Sequence, residues 1–107
     1  MYKQGATILI PFPFTDLTGS KIRPAVIVGN KTYGEDIIVV FISSNIKTKT
    51  AYDVLIKPSE QNGLKIASLL KCTKLATLDK KMIIGEIGLL SSTDLAKVKS
   101  TLKSIFF

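Results

Sequence analysis

The sequence predicts a mostly β fold, a small β-barrel with one C-terminal α-helix packed on it, and three observations predict it. Short apolar runs rich in Val and Ile recur before Ser91, separated by Pro-, Gly- and Asn-containing breaks. After Ser91 the pattern changes: Leu95, Val98, Leu102 and Ile105 recur at spacings of three and four, one face of a helix. No repeat, low-complexity tract or linker divides the 107 residues, so one domain, 1–107, is expected. Several short strands followed by one helix point to a barrel covered by that helix.

Residues 6–10 are apolar and β-branched and read as the first strand, ended by Pro11. Residues 11–21 hold two prolines and the run Thr15-Asp16-Leu17-Thr18-Gly19-Ser20, the composition of a long exposed loop. Residues 24–28 form the second strand, in which Pro is tolerated as the first residue and keeps Arg23 extended. A turn around Gly34 leads into residues 37–43, a continuous apolar run expected at the centre of the sheet and buried on both faces. Residues 45–50 are polar and basic and read as a loop. Residues 52–56 alternate as a fourth strand, 59–63 turn, 67–75 form a fifth strand, and a shorter strand falls within 82–87. Ser91 or Ser92 caps the helix, and Asp94 sits in its first turn, where the helix dipole favours an anion.

Composition narrows the chemistry. The hydrophobic fraction of 46% is that of a folded chain, and disorder is not expected. The net charge is +7 and the pI about 9.6, which suits nucleic acid, an anionic membrane or an acidic protein, or simply a lysine-rich soluble surface. There is no histidine, and Cys72 is the one cysteine, so zinc-type ligand sets are absent and no internal disulfide can form. The carboxylates are scattered rather than clustered, so no magnesium site is evident. No metal and no cofactor are expected, and neither a Walker A loop nor GxGxxG occurs. The longest aliphatic and aromatic run, residues 37–42, is far short of a membrane span, and the opening residues lack a secretory layout; a cytoplasmic protein is expected.

Arg23 stands out as the sole arginine among fifteen basic residues. Leaving a loop and entering a strand, it offers a fixed fork able to grip a phosphate through two hydrogen bonds; a surface salt bridge, for example to Asp16, is the competing reading. Ser43, Ser44 and Asn45 end the central strand, where polar side chains either converge on a ligand or close the strand with local hydrogen bonds. Asp16 is a candidate proton acceptor or an orienting group for Arg23, and equally a candidate Asx-turn residue. Phe12 and Phe14 flank Pro13, and one of them could stack on an unpaired base while the other packs in the core. Lys47, Lys49 and Lys71 are candidate phosphate contacts or ordinary solvated lysines. Cys72 reads as buried filler in a strand, with no histidine to activate it.

Taken together, the blocks resemble the MazF/PemK toxins of type II toxin–antitoxin systems. The opening Gly-led strand, the loop and Arg23-Pro24-Ala25-Val26-Ile27-Val28 are similar to the family's first block, and Ile42-Ser43-Ser44 to its strand ending in a hydroxyl residue. Leu75-Ala76-Thr77-Leu78-Asp79-Lys80 resembles its T-I-D-K block, and Ile87-Gly88-Leu89-Leu90-Ser91 the approach to its last helix. The resemblance implies an SH3-like barrel, the fold shared by MazF, PemK and CcdB-like toxins. It implies a homodimer, metal-independent and sequence-selective cleavage of single-stranded RNA (mRNA), and neutralisation by a cognate antitoxin protein. It carries the catalytic arginine onto Arg23 and the hydroxyl, often threonine in the family, onto Ser43. Substrate would then run along loops 14–21 and 45–50, with Phe14, Thr15, Thr18, Ser20, Lys21, Ser44, Asn45, Lys47, Lys49, Lys71 and Thr73 as contacts. One departure is visible: many members carry an acid in the strand before the T-I-D block, where this chain has Lys71 and Thr73.

Two other functions fit the same fold. A CcdB-like gyrase poison would act through the helix end, and this chain closes with Ile105-Phe106-Phe107, two aromatics that could anchor a partner or close the barrel. A non-catalytic RNA-binding module would bind RNA with the same salt dependence and leave no cut products.

Overall fold

The computed structural model describes residues 2–12 and 21–107. Of the candidate residues, Phe14, Thr15, Asp16, Thr18 and Ser20 lie outside the described residues. The strands are β1 (Ala6–Phe12), β2 (Lys21–Ile27), β3 (Asp36–Ser43), β4 (Asp53–Ile56), β5 (Ser68–Asp79) and β6 (Gly85–Leu89), and the helix is α1 (Ser92–Phe106). They form one six-stranded antiparallel sheet in the order β4-β5-β3-β2-β1-β6, curled into a half-barrel, with β4 and β6 at its edges.

Each expected element is present, and the differences lie at the ends. β1 continues through Pro11, whose neighbour on β2 is Ile22; β6 pairs only with Ala6–Leu9, so no strand on that side requires an N–H from Pro11. Likewise β2 begins at Lys21 and runs through Pro24, which pairs with Leu9 of β1, while β3 joins β2 only from Ala25 to Ile27. β5 runs on to Asp79 rather than stopping at Leu75, because its second half pairs with the start of β3.

β3 lies inside the sheet, and its alternate residues feed two clusters. Val40 and Ile42 join Val26, Val54, Ile56 and Leu70 in one cluster, against which α1 packs. Ile37 and Val39 join Ile8, Ile10, Ala25 and Ile27 in the other. Full burial of each such Ile or Val stabilises the fold by roughly 1.5–3 kcal/mol. Between Val40, which pairs with Leu75, and Phe41, which pairs with Lys71, the register of β5 slips, so that Cys72, Thr73 and Lys74 are extra residues on the β5 side.

The helix starts where its sequence signals place it. Ser91 is the N-cap, its Oγ accepting from the Asp94 N–H at 3.1 Å, and Asp94 occupies the first turn. Val98 is fully buried, and Leu95, Leu102 and Ile105 pack beside it on the first cluster. Phe106 and Phe107 are 59% and 101% exposed, so the terminal aromatics do not close the sheet. Among the described residues no helix is long and apolar enough to cross a membrane.

Candidate functional site

Pairing with β1 fixes Arg23 opposite Ile10, and Pro24 restricts it to extended backbone. Its side chain is half-buried, with Nε inside the protein, and Arg23 contributes to the lining of two cavities, one with more polar side chains than the other. The more polar one, about 440 Å³, is lined by Arg23, Phe41, Ile42, Ser43, Asn45, Thr48, Lys71 and Lys74. The other, about 330 Å³, is lined by Leu9, Pro24, Ile42, Leu64, Ile66 and Ile87, together with Arg23, Ser44, Gly63, Lys65 and Ser68. Among the described residues no carboxylate lines either cavity.

The end of β3 supplies the polar groups through a tight local turn. Ser43 Oγ accepts from the Asn45 N–H at 3.2 Å, Asn45 Oδ1 accepts from the Lys47 N–H at 3.3 Å, and Thr48 Oγ1 donates to the Asn45 carbonyl at 3.0 Å. These bonds show the side chains closing the strand locally, and Ser43 and Asn45 also line the cavity to which Arg23 contributes.

Lys71 enters the same cavity, but its ammonium is bound. Lys71 on β5 and Asp53 on β4 are directly paired across the strands, and Lys71 Nζ donates to Asp53 Oδ2 at 2.8 Å. The same oxygen accepts from the Thr50 N–H at 2.9 Å and the Thr50 hydroxyl at 3.2 Å. Burial by itself would raise the Asp53 carboxyl. The hydrogen bonds and charge of Lys71, with those from Thr50, outweigh it and hold the group below the usual carboxylate value. The Cys72 thiol is buried on the adjacent position and is pushed up to about 11 by burial and by the Asp53 charge. It is not a nucleophile at neutral pH, in keeping with its reading as packing.

Other candidates stand apart from Arg23. Lys21 and Thr73 are exposed and line neither cavity. Lys47 is exposed beside Asn45, outside both. Lys49 faces a separate groove of about 940 Å³ between β4 and α1, with Leu55, Lys57 and Lys97. Sequence reasoning did not single out Phe41, Thr48, Lys74 or the residues 63–66. Lys74 is one of the extra residues at the register slip in β5, which no local pattern announces.

The segment 57–66 is built as a rigid wall. The Asn62 side chain is its brace: Oδ1 accepts from the Ser59 and Leu64 N–H groups at 3.1 and 2.9 Å, and Nδ2 donates to the Lys57 carbonyl at 2.9 Å. The Leu89 N–H donates to the Gln61 carbonyl at 2.8 Å, pinning the segment to β6. Gly63 has φ +72°, and a Cβ there would collide with the Ile87 carbonyl, so glycine is required by conformation and by close approach together. Among the described residues no group of His, Cys, Asp and Glu is arranged to hold a metal ion.

Comparison with known proteins accords with this architecture. Residues 3–106 match the family model described as PemK-like, MazF-like toxin of type II toxin–antitoxin system. An endoribonuclease in complex with its cognate antitoxin from Mycobacterial species superposes with a TM-score of 0.79 at 16% identity, covering 97% of this chain and 93% of that one. The Mycobacterium tuberculosis toxin MazF-mt6 gives 0.75 at 17% identity over 94% and 95% of the two chains. A MazE-MazF structure from Deinococcus radiodurans gives 0.77 at 18% identity over 97% and 94%. No curated protein sequence matches.

Proposed function

Because the chain belongs to the PemK-like, MazF-like toxins of type II toxin–antitoxin systems, we propose that it is a cytoplasmic, metal-independent endoribonuclease that cuts single-stranded RNA sequence-selectively. It acts as a homodimer and is silenced by a cognate antitoxin protein. Two of its structural relatives are an endoribonuclease bound to its antitoxin and a MazE-MazF complex. The observation that carries the reading is the meeting of Arg23, Ser43 and Asn45 around one cavity that Lys71 and Lys74 also line.

The chemistry suits a chain without histidine. The RNA 2′-oxygen attacks the adjacent phosphorus and the bond to the 5′-oxygen breaks. The 2′-hydroxyl loses its proton to a base, and the departing 5′-oxygen gains one. The products are a 2′,3′-cyclic phosphate and a 5′-hydroxyl. Negative charge builds on the phosphoryl oxygens in the transition state, and a fixed guanidinium stabilises it. Arg23 supplies that charge, and the Ser43 hydroxyl donates to a phosphoryl oxygen. Asp16 is assigned the proton acceptor. Ser44, Asn45 and Lys74 border the path of the strand, and Lys47 near them adds a salt-sensitive attraction.

The test is cleavage of a long single-stranded RNA by purified protein in excess EDTA, with the new ends mapped. Arg23→Ala is expected to abolish cutting while the far-UV spectrum and melting temperature stay those of the wild type. RNA left intact by the wild-type protein, or cut equally well by Arg23→Ala, overturns the proposal.

A further inference from the structure

We infer that the open edge of β4 and the flank of α1 beside it form a docking groove for an extended acidic peptide, which joins the sheet as a further strand. The groove, about 940 Å³, shares no lining residue with the two cavities that Arg23 lines. In an antiparallel ladder the N–H and C=O of one residue point together, toward the partner strand or away from it, and successive residues alternate. The Asp53 N–H points away from β5, since it donates to the Thr50 carbonyl at 3.2 Å. Val54 and Ile56 therefore bond to β5, while the N–H and C=O of Leu55 point outward. β4 is an edge strand, and among the described residues no backbone hydrogen bond from outside the β4–β5 ladder reaches Leu55. The opposite edge differs: at the end of β6 the Leu89 N–H is taken by the Gln61 carbonyl at 2.8 Å.

The helix turns this edge into one wall of a groove. Val54 and Ile56 belong to the cluster on which α1 packs, and Ala96, Lys97, Ser100 and Thr101, at helical spacing, form the facing wall. A strand added to β4 lies about 4.8 Å from it and turns alternate side chains toward that wall, where Ala96 and Ser100 are small. Charge selects the occupant. Lys49, Lys57 and Lys97 line the groove, all three are exposed, and none is in an ion pair among the described residues. Of the two lining acids, Asp53 is committed to Lys71 and Thr50, which leaves Asp94 against three ammonium groups. A segment carrying several carboxylates is attracted to this lining and a basic one is repelled. RNA meets the same charge, but it has no alternating N–H and C=O groups with which to complete the ladder at Leu55.

The experiment is a titration of the full chain, followed by NMR and amide hydrogen exchange, with a short capped peptide of alternating Glu and Val. The controls are a Lys–Val peptide, the Glu–Val peptide N-methylated at every residue, and a single-stranded RNA oligonucleotide. The Leu55 amide is expected to exchange freely in the protein alone and at least about 10-fold more slowly with the Glu–Val peptide. Both control peptides are expected to bind at least about 10-fold more weakly, one through repulsion and the other through loss of its backbone donors. Lys57→Glu combined with Lys97→Glu, both at exposed positions, is expected to weaken the Glu–Val peptide about 10-fold at an unchanged melting temperature. Leu55→Pro removes the outward N–H and no ladder bond, a change an edge strand tolerates, and is expected to abolish binding; if that variant does not fold, the N-methylated peptide decides the same point. Binding that survives N-methylation, unaltered affinity in the double variant, or groove amides that shift only with RNA would each overturn the inference. So would a Leu55 amide protected in the protein alone, or protected by a second copy as protein concentration rises. Failure of the Glu–Val peptide to bind would also overturn it and leave the lysines as guards of the edge.

Discussion

Lys71 Nζ and Asp53 Oδ2 lie 2.8 Å apart across the β4–β5 ladder, and this pair ties the floor of the cationic cavity to the edge of the sheet. Asp53 is 5% exposed, and the Lys71 side chain 15%. Asp53→Asn removes one charge of a largely buried pair and leaves the other uncompensated. A loss of about 2–3 kcal/mol is expected, measurable by urea unfolding. Should the variant be as stable as the wild type, the pair is not a structural tie.

The same pair sets an acid limb. The folded carboxyl of Asp53 is depressed, so its stabilisation is complete above the ordinary unfolded value, about 3.9, and is lost as pH falls through the lower folded value. The stability gap between wild type and Asp53→Asn is therefore expected to be flat near neutrality and to shrink below about pH 4. Melting temperatures of both proteins across that range check it, and a gap that widens on acidification contradicts it.

At the site, Ser43→Ala is expected to lower RNA cleavage by about 100-fold, the usual cost of one preorganised donor, with no change in stability beyond the loss of its contact to the Asn45 N–H. Ser43→Thr keeps the hydroxyl and suits a strand position, so it is expected to retain most activity. Initial rates of the three proteins on one RNA decide the matter. Equal loss in both variants would assign the effect to packing.

Cys72 is fully buried, with its thiol pushed up to about 11. It is expected to resist a thiol reagent in the native state at pH 8 and to react as soon as denaturant unfolds the chain. Prompt labelling of the native protein would mean that β5 opens on its own.

Gly63→Ala is expected to cost about 3 kcal/mol or to prevent folding, because the new methyl meets the Ile87 backbone and the residue must keep φ +72°. The neighbouring Lys65→Ala, at an exposed position, serves as its control and is expected to melt with the wild type.

The element order was legible from local pattern, since alternation and helical spacing are written into consecutive residues. Ser91 and Asp94 announced the helix start, and Leu95, Val98, Leu102 and Ile105 its buried side. Arg23 was legible by its rarity, by Pro24 and by the family's opening block. The Lys71–Asp53 pair was not, because it joins residues eighteen apart through a strand register that no short window contains. For the same reason β5 read as ending at Leu75: its second half is held by partners on β3 and not by its own hydrophobicity. The less polar of the two cavities that Arg23 lines was hidden more deeply, since Leu9, Ile42, Ile66 and Ile87 come from four separate stretches of chain.

The slip on β5 has a consequence for how such a binding surface can be altered. Cys72, Thr73 and Lys74 stand between residues that face Val40 and Phe41, so a length difference and not a side chain sets the offset between the two halves of that strand. Shortening the excess by one residue would turn every later position of β5 to the opposite side of the sheet, sending Leu75 and Ala76 into each other's surroundings. Tolerance of one-residue indels at this point should accordingly be nil, while the chemical identity of exposed Thr73 is open to change.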